Sequence, residues 1–257
     1  MTLKINLIKA ISYLITKLAG AGFLLFVISI YLLLSFGKDM YEFVDGISSG
    51  FLWIIVFGYG ILCSLLIDLW VLKVPNSSLT VKILLYILAG YGFFIITMDV
   101  SFMLFAGTIG ALCSLIFYVG TLLSFRFQSF KYVFSIVVPL IIIILMDVDF
   151  TEKEQWIEVK SETSYTATFD HFNGKHEIPI LAKTDQTITL SYDFNPTNDG
   201  GHGFYMLNGK NKLVGLTEIS EEVLKLEVQK AGVYRMVVTG DDVKGNFKVK
   251  WSISETY

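Results

Sequence analysis

Phe102–Phe125 reads FMLFAGTIGALCSLIFYVGTLLSF, 24 residues without a charge. An α-helix rises about 1.5 Å per residue, so this run spans about 36 Å, enough to cross a hydrocarbon core of about 30 Å. Working outward, four more stretches have the same character. Leu18–Phe36 carries no charge, Phe51–Leu72 carries only Asp68, and Leu79–Met98 carries Lys82 near its start. Tyr132–Val148 is the shortest and holds Pro139 and, near its end, Asp147. Backbone groups left unpaired in lipid cost several kcal/mol each, so helices are the expected form. The reading is a membrane α-helical bundle of five transmembrane helices over residues 18–148. The third and fourth are separated only by Asp99–Ser101, which demands a tight hairpin.

The whole chain is 54% hydrophobic and only 17% charged, against about 25% charged for soluble domains. That composition excludes a disordered chain, a basic nucleic-acid-binding protein and an ordinary soluble enzyme. The charge is unevenly spread. Residues 1–150 carry 8 Lys or Arg and 7 Asp or Glu; residues 151–257 carry 12 and 16. Heavy use of Lys over Arg points to an AT-rich bacterial genome.

Lysine and arginine set the orientation. With the N-terminus inside, Lys4, Lys9, Lys17, Lys73, Lys82, Arg126 and Lys131 fall on the cytoplasmic side, and Lys38 alone falls outside before residue 150. This is a strong positive-inside pattern. Five spans then place the C-terminal domain outside a cell membrane. No small-x-small cleavage site follows Phe36, so the first span reads as an uncleaved anchor. Within residues 1–17, Leu3, Leu7, Ile11 and Leu14 lead to Leu18 at helical spacing. Two readings stay open: an amphipathic N-terminal helix in the inner interface, with its lysines near lipid phosphates, or an extension of the first span.

Asp68 is the only acid well inside a span, and an intramembrane acid is a candidate proton or ion site. It lies about one turn from the inner end, so it also reads as an interfacial acid paired with Lys73, Arg126 or Lys131. Ala106 with Gly110, and Gly107 with Ala111, form small-x-x-x-small pairs that let helix backbones approach, either inside the bundle or at a dimer face. Cys63 and Cys113 both fall in spans, where cysteine acts as a small apolar filler.

From about residue 155 the apolar period drops to two. Tyr165, Ala167 and Phe169 alternate with polar residues, as do Ile188, Leu190, Tyr192 and Phe194, then Leu224, Leu226 and Val228, Tyr234, Met236 and Val238, and Phe247, Val249, Trp251 and Ile253. Alternation marks strands with one buried face. Asn173-Gly174, Asn208-Gly209 and Gly240 to Gly245 read as turns. Eight or nine strands over residues 155–257 predict an all-β antiparallel sandwich.

The run Ala231–Val238, followed by Gly245–Trp251, resembles the last two strands of GOLD-type (emp24-like) β-sandwich domains. Phe172–Ile180 and Thr187–Phe194 are similar to the front strands of related small domains in exported bacterial proteins. The resemblance implies a binding module without catalytic residues. The cysteine pair of the secretory-pathway members is missing, and here the β domain follows the membrane part, so a cargo-receptor role is not implied.

The three histidines are His171, His176 and His202. Their spacing reads as loop-edge histidines and no metal site is expected. Asp193–Gly201 is rich in oxygen ligands but lacks the glycine and glutamate positions of a calcium loop. No nucleophile elbow, Walker loop, GxGxxG, HExxH or CxxC occurs. The expectation is a non-catalytic, multi-pass membrane protein, not an enzyme, whose outer domain binds a partner or ligand as a sensor, accessory subunit or immunity-type factor. The alternative is a small transporter or channel component using Asp68. The expected partners are membrane lipid and another membrane or cell-surface protein. Nucleic acid is not expected, and no cofactor is called for.

Overall fold

The computed structural model describes residues 2–74, 78–97, 100–220 and 223–255; side-chain surroundings are described from Ile8 onward, except at 96 and 97. Leu3, Leu7 and Asp99 therefore lie outside the described side chains. The chain divides into two compact units, Met1–Asp149 and Phe150–Tyr257.

The first unit is helical. α1 (Thr2–Ser35) is one unbroken helix of 34 residues, so the N-terminal stretch and the first span are continuous. It ends where Gly37 and Lys38 take positive φ (62° and 76°), a conformation that costs glycine little. α2 (Met40–Ile47) begins at Asp39, whose side chain accepts from the Glu42 N–H, filling one orphan donor of the first turn. The next leg joins α3 (Gly50–Trp53), a π-helical turn at Ile54–Tyr59, and α4 (Gly60–Lys73). α5 (Leu79–Gly92) is followed by a short 3-10 turn at Phe94–Thr97. α6 (Val100–Arg126) leads into α7 (Gln128–Tyr132), a second π turn at Val133–Val137, and α8 (Val138–Met146).

Among the described residues, four legs are long and apolar enough to cross a membrane: Ile8–Ser35, Gly50–Lys73, Val100–Arg126 and Gln128–Met146. The expected third span is shorter than its apolar stretch. α5 has 14 residues, about 21 Å of helix, because the α-helix gives way to the tighter 3-10 turn after Gly92.

Unlike a water-soluble bundle, this unit has an apolar outer surface as well as an apolar core, and it encloses several polar side chains. Ile11, Leu14 and Leu18 of α1 face outward, while Thr16 and Lys17 are buried. Leu62, Leu66, Leu69, Phe105 and Phe125 are likewise exposed, and Ser64, Thr121, Ser124 and Lys131 are buried. Lipid solvates apolar side chains as well as the interior does, so polar groups are what the bundle must enclose. The Ile11–Leu14–Leu18 stripe on α1 thus faces away from the bundle, and the lysine of the opposite face points into it.

Small residues bring the helices together. A Cβ on Gly90 of α5 would sit 2.4 Å from the Ala111 nitrogen, and one on Gly110 would sit 2.5 Å from the Gly90 carbonyl oxygen. Gly107 faces the Tyr91 ring, and Ala106 is buried. All four small residues singled out in the sequence therefore lie on α6, with Gly107, Gly110 and Ala111 packed against α5 within the bundle. On the other side of α6, Gly120 meets Phe23 and α1's Gly20 meets Thr121.

The second unit is antiparallel β throughout. Its strands are β1 (Glu152–Glu154), β2 (Ile157–Lys160), β3 (Ser164–Ala182), β4 (Gln186–Pro196), β5 (Gly201–Leu207), β6 (Leu213–Val214), β7 (Thr217–Ser220), β8 (Val223–Glu227) and β9 (Gly232–Glu255). The spatial order is β1-β3-β9-β4-β8-β7, with β2 on β3 and β5 pairing both β6 and β9. β3 and β9 run together for most of their length. The first part of β9 also takes β5, and its second part takes β4. One core gathers side chains from both parts, including Phe172, Ile178, Ile188, Met236, Phe247 and Trp251.

Two expected turns are corrected here. Asn173-Gly174 lies inside β3 and the Gly240–Gly245 region inside β9, so neither reverses the chain. The β3–β9 register shifts at Phe169/Phe172 and Phe172/Gly174. Gly174 and Gly245 have φ of 126° and 135°, and Asp242 has φ 50°. These are bulges, which bend a strand without ending it. The pair Ala231–Val238 and Gly245–Trp251, expected as two strands, is one bent strand.

Candidate functional site

Three helices bring a polar cluster into the first unit. Tyr13 and Lys17 stand one turn apart on α1, Ser64 and Asp68 on α4, and Lys82 and Tyr86 on α5. Residues four apart share a helix face, so each helix presents a pair. Lys17 is fully buried, with its Nζ 2.5 Å from Asp68 Oδ2 and donating to Ser64 Oγ at 2.8 Å. Lys82 Nζ lies 2.7 Å from Asp68 Oδ1, and the Tyr13 hydroxyl donates to Oδ2 at 2.6 Å. Ser64 Oγ and the Tyr86 hydroxyl share a hydrogen bond of 2.6 Å. Lys82 also lies over the Tyr118 ring of α6, 5.5 Å from its centroid.

The sequence singles out Asp68 but not these partners. Its carboxylate is held by Lys17 and Lys82, not by Lys73, Arg126 or Lys131. Lys131 is instead buried and donates to Ser12 Oγ at 2.6 Å. The signal for the partners was present as polar pairs at i, i+4 on three otherwise apolar helices. Chemically, two ammonium groups surround and neutralise one carboxylate. The cluster ties α1, α4 and α5 together.

Cys63 and Cys113 are free thiols, and both line one apolar cavity of about 150 Å³ between the helices.

In the β unit a groove of about 880 Å³ lies among the β5–β6 turn, β8 and the start of β9. Lys210, Lys212, Lys225 and Lys230 line it, with Glu227 the one acid in its wall. Asn208 shapes one side: its side-chain oxygen accepts from the backbone N–H groups of Lys210 and Lys212 at 2.9 and 3.1 Å. Lys225 is ion-paired to Glu227 at 3.0 Å. The groove therefore carries a surplus of positive charge, although residues 151–257 hold more acids than bases.

The histidines are scattered. His171 Nε2 lies 3.8 Å from both Glu152 and Asp242 carboxylates, and His202 stacks on Phe194. His176 is wedged between Trp156 and Tyr165, with Lys153 Nζ 2.9 Å from its Nδ1. Among the described residues, no three His, Cys, Asp or Glu side chains converge as a metal-binding group. No family model matches the chain, and no curated protein is significantly similar to it.

Burial, followed by the neighbouring Lys153 charge, lowers the His176 pKa from 6.5 to about 4. The unfolded chain then binds a proton that the folded domain refuses, so stability is full above pH 6.5 and is lost as pH falls toward 4. Glu158, which accepts hydrogen bonds from Tyr165 and Trp156, is held below the usual carboxylate value, so the stability it contributes is present above the ordinary carboxylate range and is lost only at still lower pH. Urea unfolding of residues 150–257 is therefore expected to show a midpoint that drops between pH 6.5 and 4.5. His176→Phe should flatten that interval. An unchanged slope in the variant would assign the acid sensitivity elsewhere.

Proposed function

We propose that this chain is a non-catalytic, multi-pass protein of a bacterial cell membrane whose β domain lies outside and binds an anionic partner, in a sensor, accessory-subunit or immunity-type role. The observation that carries this reading is the four-lysine groove on a domain that is otherwise acidic. Clustered like charge focuses attraction for a partner of opposite sign. The shared bent strands β3 and β9, closing over one core, support a sandwich of GOLD type, and the absence of a catalytic motif in the sequence fits a binding module.

The sidedness rests on five crossings. The 3-10 turn adds about 8 Å to α5, bringing that leg to about 29 Å, close to the thickness of the hydrocarbon core. Tyr91 meets Thr108, Gly90 meets Gly110 and Ala111, and the Ser114 hydroxyl donates to the Tyr86 carbonyl. Contacts whose numbers rise on one helix and fall on the other describe an antiparallel hairpin of α5 and α6. An odd number of crossings puts the β domain opposite a cytoplasmic N-terminus, in agreement with the lysine distribution. In this reading Asp68 serves the architecture of the bundle and not a permeation path.

The test is crosslinking and purification from native membranes with the full chain, a chain ending at Val148, and Lys210, Lys212, Lys225 and Lys230 all changed to Gln. The expected result is one partner that copurifies with the full chain, weakens at high salt, and is lost from both altered forms. Retention of the same partner by the chain ending at Val148 would move recognition to the helices and sink the proposal.

A further inference from the structure

The apolar cavity of the helical unit has no role in the reading above. It measures about 150 Å³, and its wall includes Val56, Cys63, Ala89, Phe94 and Cys113, with Ile109 at the rim. Ile109 is 49% exposed, so the cavity meets the outer surface of the bundle beside it. Ile55, Val56 and Tyr59, from the π turn at Ile54–Tyr59, form part of the wall; π turns of this kind recur at functional sites.

Depth decides what fills it. Leu24 of α1 lines the cavity and stands seven residues beyond Lys17, about 10 Å along the helix axis. The cavity therefore begins beside Tyr86 of the polar cluster and extends from there toward the middle of the hydrocarbon layer, where lipid chains end. Water is a poor occupant, because it needs two to four polar partners and almost all of the wall is carbon. Engineered cavities of about 150 Å³ lined by Leu, Ile and Phe stay dry and admit benzene or xenon. An empty cavity leaves its lining without dispersion partners on one side.

We propose that this cavity is a seat for the terminal segment of a membrane lipid acyl chain, entering past Ile109. The inference rests on the helical unit crossing a bilayer and is independent of what the β domain binds. The chain end is held by dispersion contacts with Val56, Phe94 and Cys113, while the headgroup stays at the membrane surface.

The full-length protein is reconstituted in phosphatidylglycerol–phosphatidylethanolamine vesicles containing a trace of phospholipid with a diazirine at the acyl terminus. After irradiation, adducts are mapped by peptide mass spectrometry. Adducts are expected on the segments 55–63 and 109–113, with a yield at least fivefold lower in Cys113→Phe, which fills the cavity. Ala89→Leu fills it from α5 and should give the same loss if Cys113→Phe does not fold. Leu122→Phe, on an exposed face of α6, should leave the yield unchanged. Equal labelling in filled and unfilled proteins, or adducts confined to outward-facing residues such as Leu122, would overturn the proposal. Failure to insert into vesicles at all would overturn the membrane reading beneath it, a separate and distinguishable result.

Discussion

Asp68→Asn is expected to destabilise the helical unit by about 3–5 kcal/mol, the range for removing one partner of a buried ion pair. The amide leaves the fully buried Lys17 ammonium with no counter-charge and leaves Lys82 facing a neutral group. Lys17→Met should cost less, because Lys82 still neutralises the carboxylate at 2.7 Å. Lys17→Met combined with Asp68→Leu should recover most of the loss, since replacing a whole buried pair with apolar groups of similar size is often close to neutral. Unfolding by SDS titration in mixed micelles, followed through tryptophan fluorescence, measures all three. The order Asp68→Asn, then Lys17→Met, then the double variant is the signature of a structural tie. An Asp68→Asn protein as stable as the parent, with altered proton or cation flux in proteoliposomes, would instead make the carboxylate a transport group and favour the channel reading.

Gly22→Ala is the second large effect. A Cβ there would lie 1.6 Å from the Phe134 carbonyl oxygen and 2.8 Å from its carbon. The obstacle is backbone, so no side-chain rotation relieves it. The cause is traceable along the chain. Pro139 has no N–H to donate, and its ring crowds the carbonyl four residues earlier. The turn before it opens into the π geometry of Val133–Val137, and the Phe134 carbonyl meets α1 at Gly22, where no Cβ stands in the way. Overpacking costs about 1–3 kcal/mol, and more where the neighbour cannot move; Gly22→Ala should reach or pass the top of that range. Gly58→Ala is the control. Its nearest contact is a methyl of Ile54 at 3.9 Å, and alanine is the better helix former by about 1 kcal/mol. Thermal unfolding in detergent should separate the two by well over 10-fold in the folded-to-unfolded ratio. Equal stability of the two variants would show that α1 does not approach Phe134 this closely.

Much of the architecture is legible in periodicity. Uncharged runs such as Phe102–Phe125 have one physical destiny, because only a helix satisfies its own backbone in lipid. The alternation at Tyr165, Ala167 and Phe169, or at Phe247, Val249 and Trp251, sorts each strand into two faces, and those residues are the buried ones. Asn173-Gly174 was not legible as a bulge. A positive φ at Gly174 serves a hairpin turn and a mid-strand bulge equally well. The choice depends on whether β9 lies alongside, some 65 residues later in the chain. Leu79–Met98 was not legible as a shorter helix, since its composition stays apolar where the geometry tightens.

The candidate sites divide in the same way. Asp68 stands out in sequence because a lone acid among apolar residues is rare, and Gly107, Gly110, Ala106 and Ala111 stand out by spacing. Lys17 and Lys82 read as ordinary cytoplasmic lysines, and Lys210, Lys212, Lys225 and Lys230 as solvated surface charge. By itself, the sequence determined the solvent of each half, the helical or extended state of its segments, and the face each strand buries. These follow from local periodicity and from the cost of unpaired backbone and charge. Which polar groups meet, which glycines touch backbone, and where the long strands bend were decided only in the tertiary structure. Each depends on the rotation of one helix against another, or on the register of strands far apart in the chain, and these are set by packing between surfaces that no local pattern of residues describes.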